Sequence, residues 1–201
     1  MKSRWAKIVL FLACLVPLAF LVRDVLSGTL ANPVEYITHT TGDWTIRFLL
    51  ITLTITPLRI IFKQPNLVRF RRMLGLFAFS YGTLHFATWF GLDKAFDPLE
   101  MWKDVLKRPF ITAGFTGFLC MLPLAVTSTA GWVRRLGYKR WQRLHRLIYL
   151  SAAAGVIHYY WLVKSDIRLP VMYGAILLAL LGYRYFTRKP KRALKLAGSA
   201  G

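Results

Sequence analysis

Acidic residues are scarce in this 201-residue chain: eight Asp and Glu stand against 28 Lys and Arg, giving a net charge of +20. In a soluble protein that excess would suggest nucleic acid, but no nucleic-acid-binding module is present. Charge of either sign is itself thin, at 18% against 56% hydrophobic residues, with a mean hydropathy of +0.44. These proportions exclude an ordinary soluble domain. Period-two alternation is missing, which argues against a membrane barrel. Cysteine occurs twice, as Cys14 and Cys120, both inside apolar blocks. A disulfide scaffold is therefore excluded, and both read as small packing residues. No CxxCH occurs, so covalent c-type haem attachment has no support.

What the chain does have is six apolar blocks, at 8–26, 44–62, 73–92, 110–130, 147–163 and 169–186. Each is close to the about 20 helical residues that cross a bilayer. Lipid offers no partner for a backbone polar group, so helices are the spanning element. The expected fold is an all-α integral membrane protein, a six-helix transmembrane bundle. Segment 1–7 is its cytoplasmic N-terminus, 8–186 the membrane domain and 187–201 a basic cytoplasmic tail. The first block follows Lys2, Arg4 and Lys7 as a secretory leader would. It has no small-residue cleavage pattern and five further blocks succeed it, so it counts as a membrane helix. The seven tryptophans lie near block ends, as interfacial anchors do.

The connecting segments sort the charges. The N-terminus, the 59–72 and 134–146 segments and the region from Arg184 onward hold twenty cations and no acid. The opposite side holds eight cations and all eight acids. Because basic loops stay on the inner face, both termini are expected to be cytoplasmic. The basic clusters then lie against anionic lipid headgroups, each Lys or Arg contributing about 1 kcal/mol.

Four histidines exist. His39 falls in what reads as an outer loop, 32–43, and is expected to be solvated. His85 and His158 lie within blocks, where an ionisable residue is costly and points to function. His85 is thirteen residues past Arg72, and His158 thirteen past His145. At 1.5 Å per residue, each sits about 20 Å above the inner charge belt. Two imidazoles at one depth on parallel helices can clamp a porphyrin. His145, at the inner boundary, is a candidate ligand for a second haem. On an ideal helix, though, it is rotated roughly 140° from His158. Hydrogen-bonded linkage between helices and a proton relay are the competing readings. A relay needs acids deep in the spans, whereas Asp24 and Asp43 sit at helix ends. Gly75, Gly82, Ala152, Ala153, Ala154 and Gly155 near the histidines read equally as room for a bulky cofactor or as close helix packing. A cofactor-free small transporter or membrane scaffold, and a direct ferric or oxygen reductase, stand as the alternatives.

Several stretches carry a resemblance. They are Thr56-Pro57-Leu58-Arg59, Arg71-Arg72-Met73-Leu74-Gly75-Leu76, Tyr81-Gly82-Thr83-Leu84-His85, Thr127-Ser128 and 141–149 from Trp141 through His145 to Tyr149, with His158 beyond. As an ordered set they resemble the haem-binding membrane subunits of the bacterial protein-methionine-sulfoxide reductase system, within the ferric-reductase-like transmembrane superfamily. The resemblance covers roughly 8–186. It implies a b-type haem, one or two per chain, in the bacterial inner membrane. Electrons would come from the quinone pool or a cytoplasmic flavin reductase. They would pass to a periplasmic molybdenum-containing subunit that reduces methionine sulfoxide in oxidised proteins. The resemblance also implies FMN, for which no binding motif is visible. The wider superfamily places two histidines on each of two helices; here Arg71 and Arg72 stand where an inner partner for His145 belongs.

Overall fold

The computed structural model describes residues 2–188, and all regular structure among them is helical. In chain order the α-helices are α1 Lys2–Leu26, α2 Pro33–Ile61, α3 Val68–Thr88, α4 Pro98–Lys107, α5 Pro109–Val126, α6 Ala130–Leu136, α7 Tyr138–Leu144, α8 Leu147–Leu162 and α9 Arg168–Arg188. A 3₁₀ turn, Pro65–Leu67, leads into α3, and a π-helical turn, Trp89–Asp93, follows it. The six apolar blocks fall in α1, α2, α3, α5, α8 and α9. Four of these, α1, α2, α5 and α9, are long and apolar enough to cross a membrane. Helix α3 opens with Arg69, Arg71 and Arg72, and α8 has 16 residues, fewer than the about 20 of a full span. Of the basic tail expected at 187–201, everything past Arg188 lies outside the described residues.

Helix boundaries differ from the sequence reading at the acid-bearing end. The stretch 32–43, expected as a loop, is helical. The Asn32 side chain accepts the Glu35 backbone N–H at 3.2 Å and Pro33 fills the first helical position, so α2 starts eleven residues early. His39 and Asp43 are thus helical residues, and Asp43 is well inside α2 rather than at its end. The stretch 93–108 contains α4, capped by Asp97 with Pro98 at the first position. Helix α1 also extends back to Lys2, so the expected N-terminal segment 1–7 is helical from that point.

The bundle is built on two helix pairs: α2 packs most extensively on α3, and α5 on α8. Helix α1 leans on α2 and α3, while α9 covers α2 and α8. Leu53, Ala78 and Ala152 are fully enclosed in the shared core. Tyr81 is buried as well, and its hydroxyl donates to the Cys14 carbonyl at 3.0 Å, tying α3 to α1 one turn before Pro17. Pro57 has no N–H for the Leu53 carbonyl four residues earlier. Arg184 of α9 donates to that carbonyl instead, at 2.6 Å. The outward surface is aliphatic, with Val9, Leu12, Leu150 and Leu178 all exposed. An exterior of this kind requires an apolar surround.

Cys14 and Cys120 are unpaired and packed, as expected. The tryptophans divide. Trp5, Trp102 and Trp161 face outward as anchors would, whereas Trp141 turns inward and donates its indole N–H to the Thr127 carbonyl at 2.9 Å.

Candidate functional site

His85 on α3 and His158 on α8 meet across the bundle, their ring centroids 6.0 Å apart and their planes inclined by 76°. Each ring is anchored through the same atom. His85 Nδ1 lies 2.9 Å from the Thr38 carbonyl of α2, and His158 Nδ1 lies 2.6 Å from the Phe110 carbonyl of α5. A carbonyl only accepts, so each Nδ1 carries the proton and each Nε2 keeps a free lone pair. That tautomer suits metal ligation, since a ligating histidine normally donates its other N–H to a backbone carbonyl or carboxylate.

Both anchors share one local design. The Thr38 carbonyl lies four residues before Gly42, and the Phe110 carbonyl four residues before Gly114. A helical side chain covers the turn on the N-terminal side of its own Cα, so a Cβ at either glycine would roof the carbonyl the histidine uses. At Gly42 an added Cβ would lie 3.1 Å from the His85 ring; at Gly114 it would lie 2.7 Å from His158 Nδ1. The glycines are therefore what lets each imidazole reach its carbonyl. This pairing escaped the sequence reading. The spacing of a histidine on one helix gives no hint of a glycine on another, and Gly42 had been assigned to a loop.

A cavity of about 330 Å³ opens around the two rings. Ile46, Leu49, Phe86, Phe118 and Met121 give it apolar walls, and the charged side chains of its lining, Asp43, Asp93 and Arg108, belong with His39 to the acid-bearing end. Gly155 also lines it, and a Cβ there would meet nothing within 4 Å, so α8 offers open space at that point. Gly75 and Ala152 behave differently: Gly75 meets Thr52 at 3.8 Å and Ala152 is fully buried in helix packing. The two sequence readings of the small residues thus hold at different positions.

The residues fit a haem. A metal–imidazole bond of about 2 Å, plus about 1 Å from nitrogen to ring centre, sets two axial imidazole centroids about 6 Å apart. The observed separation matches that figure. The apolar walls suit a porphyrin, and Arg108 at the mouth is a cation that can face its carboxylates.

His145 is not brought to this pair. It follows α7 and precedes α8, so the 140° phase argument, which assumed one continuous helix, does not apply. Its Nε2 lies 3.0 Å from Thr127 Oγ1, whose own proton goes to the Pro123 carbonyl at 2.6 Å. Nε2–H is therefore the donor, and a metal bound there would have to replace this bond. The Trp141 ring covers His145 at a centroid distance of 4.0 Å. Burial, with the Arg71 guanidinium adding to it, pushes the His145 imidazole down to about 4. His39, exposed on α2, is 3.9 Å from Glu35.

The acids of the 93–108 stretch gather around Lys94 and Arg108. Lys94 bridges Asp93 at 3.2 Å and Asp104 at 2.6 Å, and Asp104 also meets Arg108 at 3.5 Å. The Asp104 carboxylate holds the Lys94 ammonium above its ordinary value. With side chains only 16% and 14% exposed, Lys94 and Asp104 pin α4 against the cavity mouth. Asp104→Asn should cost about 1–3 kcal/mol, between the exposed and fully buried cases. Thermal unfolding of the purified protein measures it.

Residues 15–156 match the family described as "Ferric reductase like transmembrane component". Among curated proteins the chain is similar to the "Protein-methionine-sulfoxide reductase heme-binding subunit MsrQ" of Herminiimonas arsenicoxydans, 51% identical over 199 residues, covering 96% of this chain and 91% of the relative. The protein of the same description from Caulobacter vibrioides is 53% identical over 175 residues, covering 87% and 83%. That of Ralstonia nicotianae is 46% identical over 203 residues, covering 98% and 93%. No solved structure matches the chain.

Proposed function

The chain belongs to the ferric reductase like transmembrane component family and, within it, to the heme-binding subunits of protein-methionine-sulfoxide reductase, and from that premise we propose that it carries electrons on a b-type haem held between His85 and His158. It is a haem-binding membrane protein that serves electron transfer to a methionine sulfoxide reductase. The observation that carries the proposed ligand pair is the meeting of two imidazoles at 6.0 Å, each with Nδ1 tied to a backbone carbonyl. When bound, the haem iron supplies the one-electron carrier. The chain's own residues do the rest. His85 and His158 would hold the iron through the Nε2 lone pairs that their Nδ1 anchors leave free. Thr38 and Phe110 fix the tautomer and raise ligand basicity through their carbonyls. The apolar walls exclude water.

The finer assignments belong to the same proposal. Six helices, α1, α2, α3, α5, α8 and α9, span the bacterial inner membrane, with both termini cytoplasmic. The segregation of every acid to one end supports that orientation. Electrons enter from the quinone pool or a cytoplasmic flavin reductase and leave to a periplasmic molybdenum-containing subunit. The acid-bearing end, where the polar mouth of the cavity lies, is the side for that partner. His145 is the site for a second redox centre, and FMN is the flavin that the family resemblance implies.

A pyridine haemochrome assay on the purified protein tests the core of this reading. Non-covalent b haem in at least equimolar amount is expected, with a Soret band that sharpens on reduction. Colourless protein from haem-replete cells would favour a cofactor-free scaffold instead.

A further inference from the structure

Arg184 of α9 is only 8% exposed, at the end of the bundle that carries no Asp or Glu among the described residues. One terminal nitrogen donates to the Tyr149 hydroxyl and the other to the Leu53 carbonyl. Its guanidinium carbon stands 5.2 Å from the centre of the Tyr149 ring, while Nε has no partner among the described residues. The charged neighbours of half-buried Arg71 on α3 include Arg184 itself and Arg59. No acid balances them. Asp24, Asp43, Asp93, Glu100, Asp104 and Asp166 pair with Lys or Arg elsewhere, Glu35 accepts from Asn32, and Asp97 caps α4.

Tyr149 and the Leu53 carbonyl satisfy hydrogen bonds but supply no countercharge. Neighbouring guanidiniums repel, and a buried cation without a counter-ion is costly. The planar fork of arginine matches a phosphate oxyanion in particular. We propose that Arg71 and Arg184, framed by Tyr149, form a binding site for a phosphate oxyanion, borne either by an anionic lipid headgroup or by the phosphate ester of a small ligand. Half-buried Arg71 is the point of entry, and the free Nε of Arg184 is the inner donor. Arg71, Arg184 and Tyr149 stand outside the lining of the His85–His158 cavity, so the site does not depend on that ligand pair, although Arg71 is also the charged neighbour of His145.

The full chain, delipidated in neutral detergent, is titrated with phosphatidylglycerol or phosphatidylcholine in mixed micelles, and separately with FMN or riboflavin. Melting temperature and native mass report binding. One saturable equivalent with a raised melting temperature is expected. Phosphatidylglycerol binding above phosphatidylcholine assigns the site to lipid; FMN binding above riboflavin assigns it to a phosphate ester. Arg71→Gln should weaken that binding about tenfold or more, and Arg71→Lys less. Arg184→Gln should act likewise if it folds; if it does not, Arg71→Gln decides. The proposal is overturned if none of the four binds saturably. It is equally overturned if the neutral and zwitterionic probes bind as well as the anionic ones, or if Arg71→Gln binds as the parent does.

Discussion

Exchange of His85 for alanine should strip the haem from the purified protein, and His158→Ala should do the same. Neighbouring groups that merely orient a metal ligand are worth roughly 10–100-fold in affinity. Removing the ligand itself is expected to exceed that range, leaving little Soret absorbance per protein. The effect should be equal for the two positions, because the two anchors are built alike, each on a carbonyl with a glycine four residues on. Added imidazole should restore part of the spectrum in either variant by filling the vacated space. That rescue separates a ligand from a residue that only supports the fold. His39→Ala should leave the spectrum intact. His145→Ala reports on the second centre: a fractional loss of haem would place one there, and full retention would not. Should both His85→Ala and His158→Ala keep their parent spectra, the ligand pair proposed here is wrong, whatever the haem content.

Counting thirteen residues from Arg72 to His85 and thirteen from His145 to His158 set the two at a similar depth, because helical rise is fixed along most of each interval. The 140° rotation reckoned between His145 and His158 does not carry over, since the chain leaves the helix between Leu144 and Leu147. Hydropathy found the six long helices but clipped α2. Its first three turns carry Glu35, His39 and Asp43, which lower the apolar signal without breaking the helix. The capping signal was present in Asn32, Pro33 and Glu35 and would have corrected the boundary. That error had a cost for the argument against a proton relay, which rested on acids lying only at helix ends. Asp43 lies inside α2, 3.4 Å from Arg47, which in turn donates to Tyr173 at 2.9 Å. An acid satisfied by its own cation is a poor relay, so the preference for haem now rests on the geometry of the histidines. Contacts between helices, such as Arg184 with the Leu53 carbonyl, join residues 131 positions apart and leave no periodic trace.

Gly114→Ala should lower haem affinity by about 10–100-fold while leaving both ligands in place. An alanine Cβ would lie 2.7 Å from His158 Nδ1 and 3.0 Å from two further ring atoms. No real Cβ tolerates such a contact, and the obstacle is an imidazole held at 2.6 Å on a carbonyl, with no slack of its own. Either the ring tilts off the Phe110 carbonyl or α5 and α8 separate. Ser151, which donates to the Gly117 carbonyl at 2.9 Å, resists separation, so the ring is the part that moves. Gly42→Ala should act in the same direction but less, because its closest approach to the His85 ring is 3.1 Å. Alanine favours a helix over glycine by about 1 kcal/mol, so neither change weakens its helix locally. Gly182→Ala, where a Cβ meets nothing within 4 Å, is the control and should be silent. Haem content and reduced-minus-oxidised spectra rank the three. An order of Gly114 above Gly42 above Gly182 would mean that the carbonyl anchors set the ligand geometry. Equal, parent-like haem binding in all three would mean that the rings find the iron without them.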